Sequence, residues 1–244
     1  MPPPHFSTCL LSTTRYLNRN LIGDAGIEAI AAALPKSEVA ELYVGLNQIG
    51  VAGAAALAAA LPASGLRWLR LSSNRMGDAG TAIIARALPA SPRLTWLRMG
   101  GSNVGGGAGR SKLLAEHGGG LGGGAQPGGG TGTGTGGGTS FGDGGAAALA
   151  AALPLSRLRY LGISGNQITD RGAEAIAGAL PACRHLRYLS MAFNPNADGV
   201  GGAFGAGQGW IQQAWRAKFR DRASIFMGTF TVLGDSGETV PEYH

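Results

Sequence analysis

Charged residues are scarce in this chain. Asp, Glu, Lys and Arg make up 14% of its 244 residues, and Lys36, Lys112 and Lys218 are its only lysines. The formal net charge of +6 therefore rests on arginines spread along the sequence. An unclustered excess of this size does not argue for nucleic acid, and none is expected as a partner. Cysteine is nearly missing: Cys9 and Cys183 lie too far apart for a metal-binding spacing, and a reducing, cytoplasmic setting is expected. His5, His117, His185 and His244 stand without carboxylate or cysteine companions. No metal, cofactor or nucleophile–base pair is expected, and neither is an enzyme. No apolar run approaches the ~18 residues of a membrane span, and the opening MPPPHFSTCLL lacks the form of a signal peptide.

What the chain has in excess is glycine, alanine and a period. Much of the glycine falls between Gly105 and Gly145, as a local low-complexity tract. Outside it one text recurs, clearest at Leu158–Pro181. Leu158, Leu161 and Ile163 make a strand half closed by Asn166 and Ile168. Ala173, Ile176, Ala177 and Leu180 then fall at i, i+3, i+4 and i+7, one face of a helix. Asn20, Asn47 and Asn74 repeat at 27 residues, and Asn166 and Asn194 at 28. A self-similar period of this length marks an array whose tiles bury one core together. Asp24, Asp78, Asp143 and Asp170 stand at the helix starts, where carboxylates are expected to cap free N–H groups. A proline after each last leucine is expected to end the helix, and the asparagine amide is expected to bond the turn and the next tile.

The pattern L-x-x-L-x-L-x-x-N-x-I-x-D-x-G-A-x-A-I-A-x-A-L-P at 158–181 resembles the leucine-rich repeat family, in its ribonuclease-inhibitor-like class. The resemblance implies an α/β fold, a right-handed solenoid or horseshoe with parallel strands inside and helices outside, binding proteins on its concave face. NOD-like receptors and Ran GTPase-activating proteins carry similar repeats, so a regulator of a small GTPase is the second reading. The repeats are expected over 17–102 and 141–200, after a ragged stretch 1–16. Residues 103–140, with a short candidate helix at 110–117, read as a Gly-rich inserted loop, expected to be disordered. The alternative is an extra repeat that has decayed. The inserted loop makes a sharp demand: Trp96 and Tyr160 must sit on neighbouring strands.

Two rows of side chains should project from the concave face, at six and four positions before each asparagine. The first reads Glu41, Trp68, Trp96, Tyr160, Tyr188, and the second Tyr43, Arg70, Arg98, Gly162, Ser190. Aromatics and arginines are the residues that anchor interfaces, which makes these rows the candidate protein-binding site. The plain reading is that aromatics suit strands and stack on one another. The tail from 201 carries a basic amphipathic helix at about 208–222, in which Ile211, Gln212 and Arg216 match the IQ motif that binds calmodulin-like proteins. Trp215 and Phe219 extend its apolar face. The same residues could instead cap the end of the array. Two glycine motifs, Gly132/Gly134/Gly137 and GGGAGRSK at 105–112, lack the strand–turn–helix setting that nucleotide binding needs.

Overall fold

The computed structural model describes residues 13–101 and 140–191, together with Asn194, Ile211, Gln213 and Ala214. Strands and helices alternate through these residues. β1 (Thr14–Tyr16), β2 (Glu41–Tyr43), β3 (Trp68–Arg70), β4 (Trp96–Arg98), β5 (Tyr160–Gly162) and β6 (Tyr188–Ser190) form one sheet in sequential order, every pairing parallel. Between them run α1 (Gly23–Ala33), α2 (Val51–Ala60), α3 (Gly77–Ala87), α4 (Asp143–Ala152) and α5 (Asp170–Ala179). Each helix packs on the next. One open sheet of six parallel strands in sequential order, with alternating helices, is consistent with an α/β leucine-rich repeat solenoid.

The leucines explain the stacking. Leu42, Leu69, Leu97, Leu161 and Leu189 sit at the centres of β2 to β6, in register and buried. Val44, Leu71, Met99, Ile163 and Met191 form a second buried column, and Ile27, Leu57, Ile84, Leu149 and Ile176 meet them from the helices. Each buried side chain of this size contributes about 1.5–3 kcal/mol of transfer free energy. No tile has enough of them to fold alone. The proline does not end the chain's winding at once. Leu-Pro-x adds a short 3-10 turn at 34–36, 61–63, 88–90, 153–155 and 180–182. Ser37, Ser64 and Ser156 then bond the leucine carbonyl of that turn, and Cys183 occupies the corresponding position.

The sheet begins earlier than the leucine pattern does. β1 lies inside the stretch 1–16, where Arg15 occupies the position of Leu42 and stays exposed. Among the described residues no tile lies beyond β1 to bury a leucine against. Its pairing instead comes from backbone bonds and from Asn18, whose Oδ1 accepts the Gly45 N–H at 2.8 Å.

β4 and β5 are direct neighbours, with Trp96 opposite Tyr160. Gly101 and Ser140 stand side by side: an added Cβ on Gly101 would lie 2.6 Å from the Ser140 Oγ. The chain 102–139 therefore leaves and re-enters within one repeat, between β4 and α4. The candidate helix 110–117 and both glycine motifs lie outside the described residues.

The asparagines and aspartates bond in directions the sequence reading did not anticipate. Asn74 bonds its own turn, as expected, but otherwise the tile before it and not the next. Its Oδ1 accepts the N–H groups of Asn47 and Ile49, each at 3.0 Å. Its Nδ2 donates to Val44 O and Leu71 O, each at 2.9 Å. Asn47, Asn166 and Asn194 repeat the arrangement.

The aspartates cap the helix after their own. Asp24 Oδ1 accepts from Gly50 N (2.6 Å) and Gly53 N (3.0 Å) at the start of α2. Asp78 does the same for Gly142 and Gly145 of α4, and Asp143 for Thr169 and Gly172 of α5. A side chain at Gly172 would put its Cβ 2.5 Å from the Asp143 carboxylate, so the third helical residue must be glycine.

One rung of this ladder is missing, because Val51 stands where the others have aspartate. Helix α3, which should receive it, starts differently. Gly77 has φ +54°, and the Gly80 N–H bonds Met76 O at 2.9 Å. Helix α1, with no described tile before it, shows the same start at Gly23, φ +60°. The three helices that receive a carboxylate begin from Gly50, Gly142 and Thr169, all with φ between −91° and −112°. A carboxylate from the preceding tile thus selects the extended start. Val51→Asp is expected to raise stability by about 1 kcal/mol and to move Gly77 to negative φ. Thermal melting and a crystal structure of the variant check this; an unchanged midpoint with Gly77 still near its present φ would refute the ladder.

Candidate functional site

The side chains on either side of each buried strand leucine point away from the helices, as two-residue alternation requires. The structure brings the expected residues together in two rows. Strand register aligns Thr14, Glu41, Trp68, Trp96, Tyr160 and Tyr188 in the first row. The second holds Tyr16, Tyr43, Arg70, Arg98, Gly162 and Ser190. Thr14 and Tyr16 were missed in the sequence because Arg15 hides the leucine signal. Counting 27 residues back from Glu41 and Tyr43 would have found them.

The aromatics stack. Trp68 and Trp96 have ring centroids 5.3 Å apart at 14°, and Trp96 and Tyr160 4.8 Å apart at 11°. The separation matches the ~4.8 Å between neighbouring strands, so the sheet itself sets the stack. Tyr16 and Tyr43 stack at 4.7 Å in the second row. Stacking half-buries the tryptophans and Tyr160 and leaves their edges as the outward surface. The Trp96 Nε1 hydrogen is buried with no acceptor among the described residues. Gly162 has a clear packing reason: a Cβ there would meet Tyr160 Cε1 at 3.0 Å and Arg98 Cγ at 3.2 Å.

Charge divides the face. At its β1–β2 end, the Glu41 carboxylate accepts from Thr14 Oγ1 at 3.1 Å and from the Tyr43 hydroxyl at 3.3 Å. Burial first, and then Glu41, push the Tyr43 hydroxyl up to about 12, so it remains a proton donor at neutral pH. At the centre, Arg70 and Arg98 lie side by side on β3 and β4. Burial, followed by the Arg98 charge, lowers the Arg70 pKa. A guanidinium stays charged through that shift, so two cations share a half-buried position beside the aromatic stack.

Ile211 is 1% exposed and belongs to the core cluster that runs through the repeats, with Ala214 packed against it. In this structure it is not an exposed anchor. Gln212, Trp215, Arg216 and Phe219 lie outside the described residues. A groove of about 480 Å³ between α4 and α5, lined by Asp143, Arg171 and Glu174, lies on the helical side, away from both rows. Among the described residues, no group of three His, Cys, Asp or Glu is placed to hold a metal ion. No helix among them is long and apolar enough to cross a membrane.

Comparison with known proteins agrees with the tile. The family model described as Leucine Rich repeat matches residues 40–58 and 157–177, which together carry β2 with most of α2 and β5 with most of α5. These matches and the sheet support a leucine-rich repeat protein. No curated protein matches the chain.

Proposed function

We propose that this protein is a non-enzymatic scaffold that binds another protein on the sheet face carrying the two rows. Leucine-rich repeat domains generally serve as protein-binding scaffolds. The observation that carries the reading here is the Trp68–Trp96–Tyr160 stack flanked by Arg70 and Arg98. The inward leucines alone satisfy the core, so these outward residues have no packing duty toward the helices. A contiguous aromatic and arginine surface of this kind is the composition of interface hot spots.

The helices α1 to α5 of the described tiles favour the ribonuclease-inhibitor-like class, and the buried Ile211 favours a tail that caps the array. A GTPase-activating role and calmodulin binding have no observation of their own behind them. A cytoplasmic location belongs to the proposal as well, and cell fractionation tests it.

The direct experiment is affinity capture with wild type beside two variants, Trp68→Ala/Trp96→Ala/Tyr160→Ala and Arg70→Glu/Arg98→Glu. Both are expected to lose captured partners by at least about tenfold, since hot-spot truncations cost 2 kcal/mol or more. The arginine variant leaves the aromatic stack in place, so its loss separates binding from unfolding. Full capture by both folded variants would end the proposal.

A further inference from the structure

The turns that lead from each helix into the next strand form one rim of the sheet, and its charge is one-sided. Arg67, Arg93, Arg157, Arg159, Arg184 and Arg187 all lie there, all exposed. Three of them recur in a fixed setting, Leu-Arg-aromatic-Leu at 66–69, 158–161 and 186–189. Backbone bonds hold the positions in register: Thr95 N donates to Arg67 O, Arg159 N to Thr95 O, and Arg187 N to Arg159 O. Each of these arginines therefore stands one residue before Trp68, Tyr160 or Tyr188, beside the aromatic row. Within these turns the only acid is Glu38, in the turn before β2, where Lys36 accompanies it.

The opposite rim is different. There Asp24, Asp78 and Asp143 turn their carboxylates into the next helix start. The formal charge of +6 is therefore not spread evenly over the described surface, although the sequence gives it no run.

We infer that the partner on the sheet face presents an acidic protein segment, which lies along the rim formed by Arg67, Arg159 and Arg187 and continues onto Arg70 and Arg98. The inference rests on the proposed function and names the partner's chemistry. A line of exposed guanidinium groups one or two strands apart attracts carboxylates, sets the orientation of approach and speeds association. The stacked edges of Trp68, Trp96 and Tyr160 beside it receive the apolar side chains of the same segment. Single-stranded nucleic acid, the other polyanion, needs aromatic faces for its bases. Here the facing surfaces of Trp68, Trp96 and Tyr160 are taken up by one another.

Fluorescence anisotropy with a labelled oligoglutamate peptide, and separately with labelled polyuridylate, tests this on the full chain. Wild type is expected to bind oligoglutamate, with affinity falling as salt rises from about 0.05 to 0.2 M. Arg67→Glu/Arg159→Glu/Arg187→Glu is expected to weaken it at least about tenfold and to flatten the salt dependence. Arg75→Glu/Arg86→Glu/Arg171→Glu makes the same charge change away from that rim and is expected to keep most of the affinity. Melting curves confirm that both triples fold, as exposed substitutions should. No binding of oligoglutamate, an equal loss in the two triples, or tighter binding of polyuridylate overturns the inference. Partner capture that is lost in the Trp68/Trp96/Tyr160 variant but kept after rim reversal leaves the binding face standing and removes the acidic segment.

Discussion

Asn74→Ala is expected to cost about 4 kcal/mol or more, the largest effect of any single substitution considered. Asn74 is 2% exposed, and its amide serves four backbone groups: the N–H of Asn47 and Ile49, and the carbonyls of Val44 and Leu71. Each buried group left without a partner costs roughly 1–3 kcal/mol. A domain of ordinary size holds about 5–15 kcal/mol in total, so the variant should melt at least about 10 °C lower. Hydrogen exchange should locate the damage at residues 44–49, because a solenoid couples mainly through nearest neighbours. Asn74→Leu separates the causes. It refills most of the volume without the hydrogen bonds, and it should be nearly as unstable as alanine. Recovery of the wild-type midpoint by leucine would mean that volume, and not the amide, had been lost.

Replacing residues 102–139 with a single asparagine is expected to raise the melting midpoint. Gly101 and Ser140 already stand together, at positions that in the tile before are Ser73 and Arg75, with only Asn74 between them. One residue can therefore span the gap. Each doubling of the chain length between two joined points costs roughly 0.6 kcal/mol to close, so an excision of this size is worth up to about 3 kcal/mol. The new asparagine would also stand in register with Asn74 and Asn166, adding a rung to the amide ladder. Scanning calorimetry of the shortened chain measures the gain. A midpoint below that of wild type would show that 102–139 contributes contacts that the repeat needs.

Much of this architecture could be read from the residues alone. Leu158, Leu161 and Ile163, then Asn166 and the alanine-rich helix, state a strand, a turn and a helix at a fixed period, and period implies stacking. The same alternation correctly assigned Trp68, Arg70, Trp96, Arg98, Tyr160 and Tyr188 to one sheet face, because side-chain direction in a strand is a local property. The first strand was not legible, since Arg15 stands where the pattern has leucine. The direction of the asparagine and aspartate bonds was not legible either. A side chain that can reach backward or forward has the same local sequence in both cases, and only the stacking distance between tiles chooses. The arginine rim was hidden for a related reason: Arg67, Arg159 and Arg187 are far apart in the chain and one strand or two apart in space.

By itself the sequence determined the tile, its period, the inward leucines and the two outward rows, all set by spacing over a few residues. The tertiary structure alone decided what adjacency creates: Trp96 against Tyr160, Asp78 on the start of α4, Ile211 within the core, and a scattered positive charge gathered onto one rim. The physical reason is that hydrophobic periodicity acts along the chain, whereas capping, stacking and electrostatics depend on which tiles come to lie side by side.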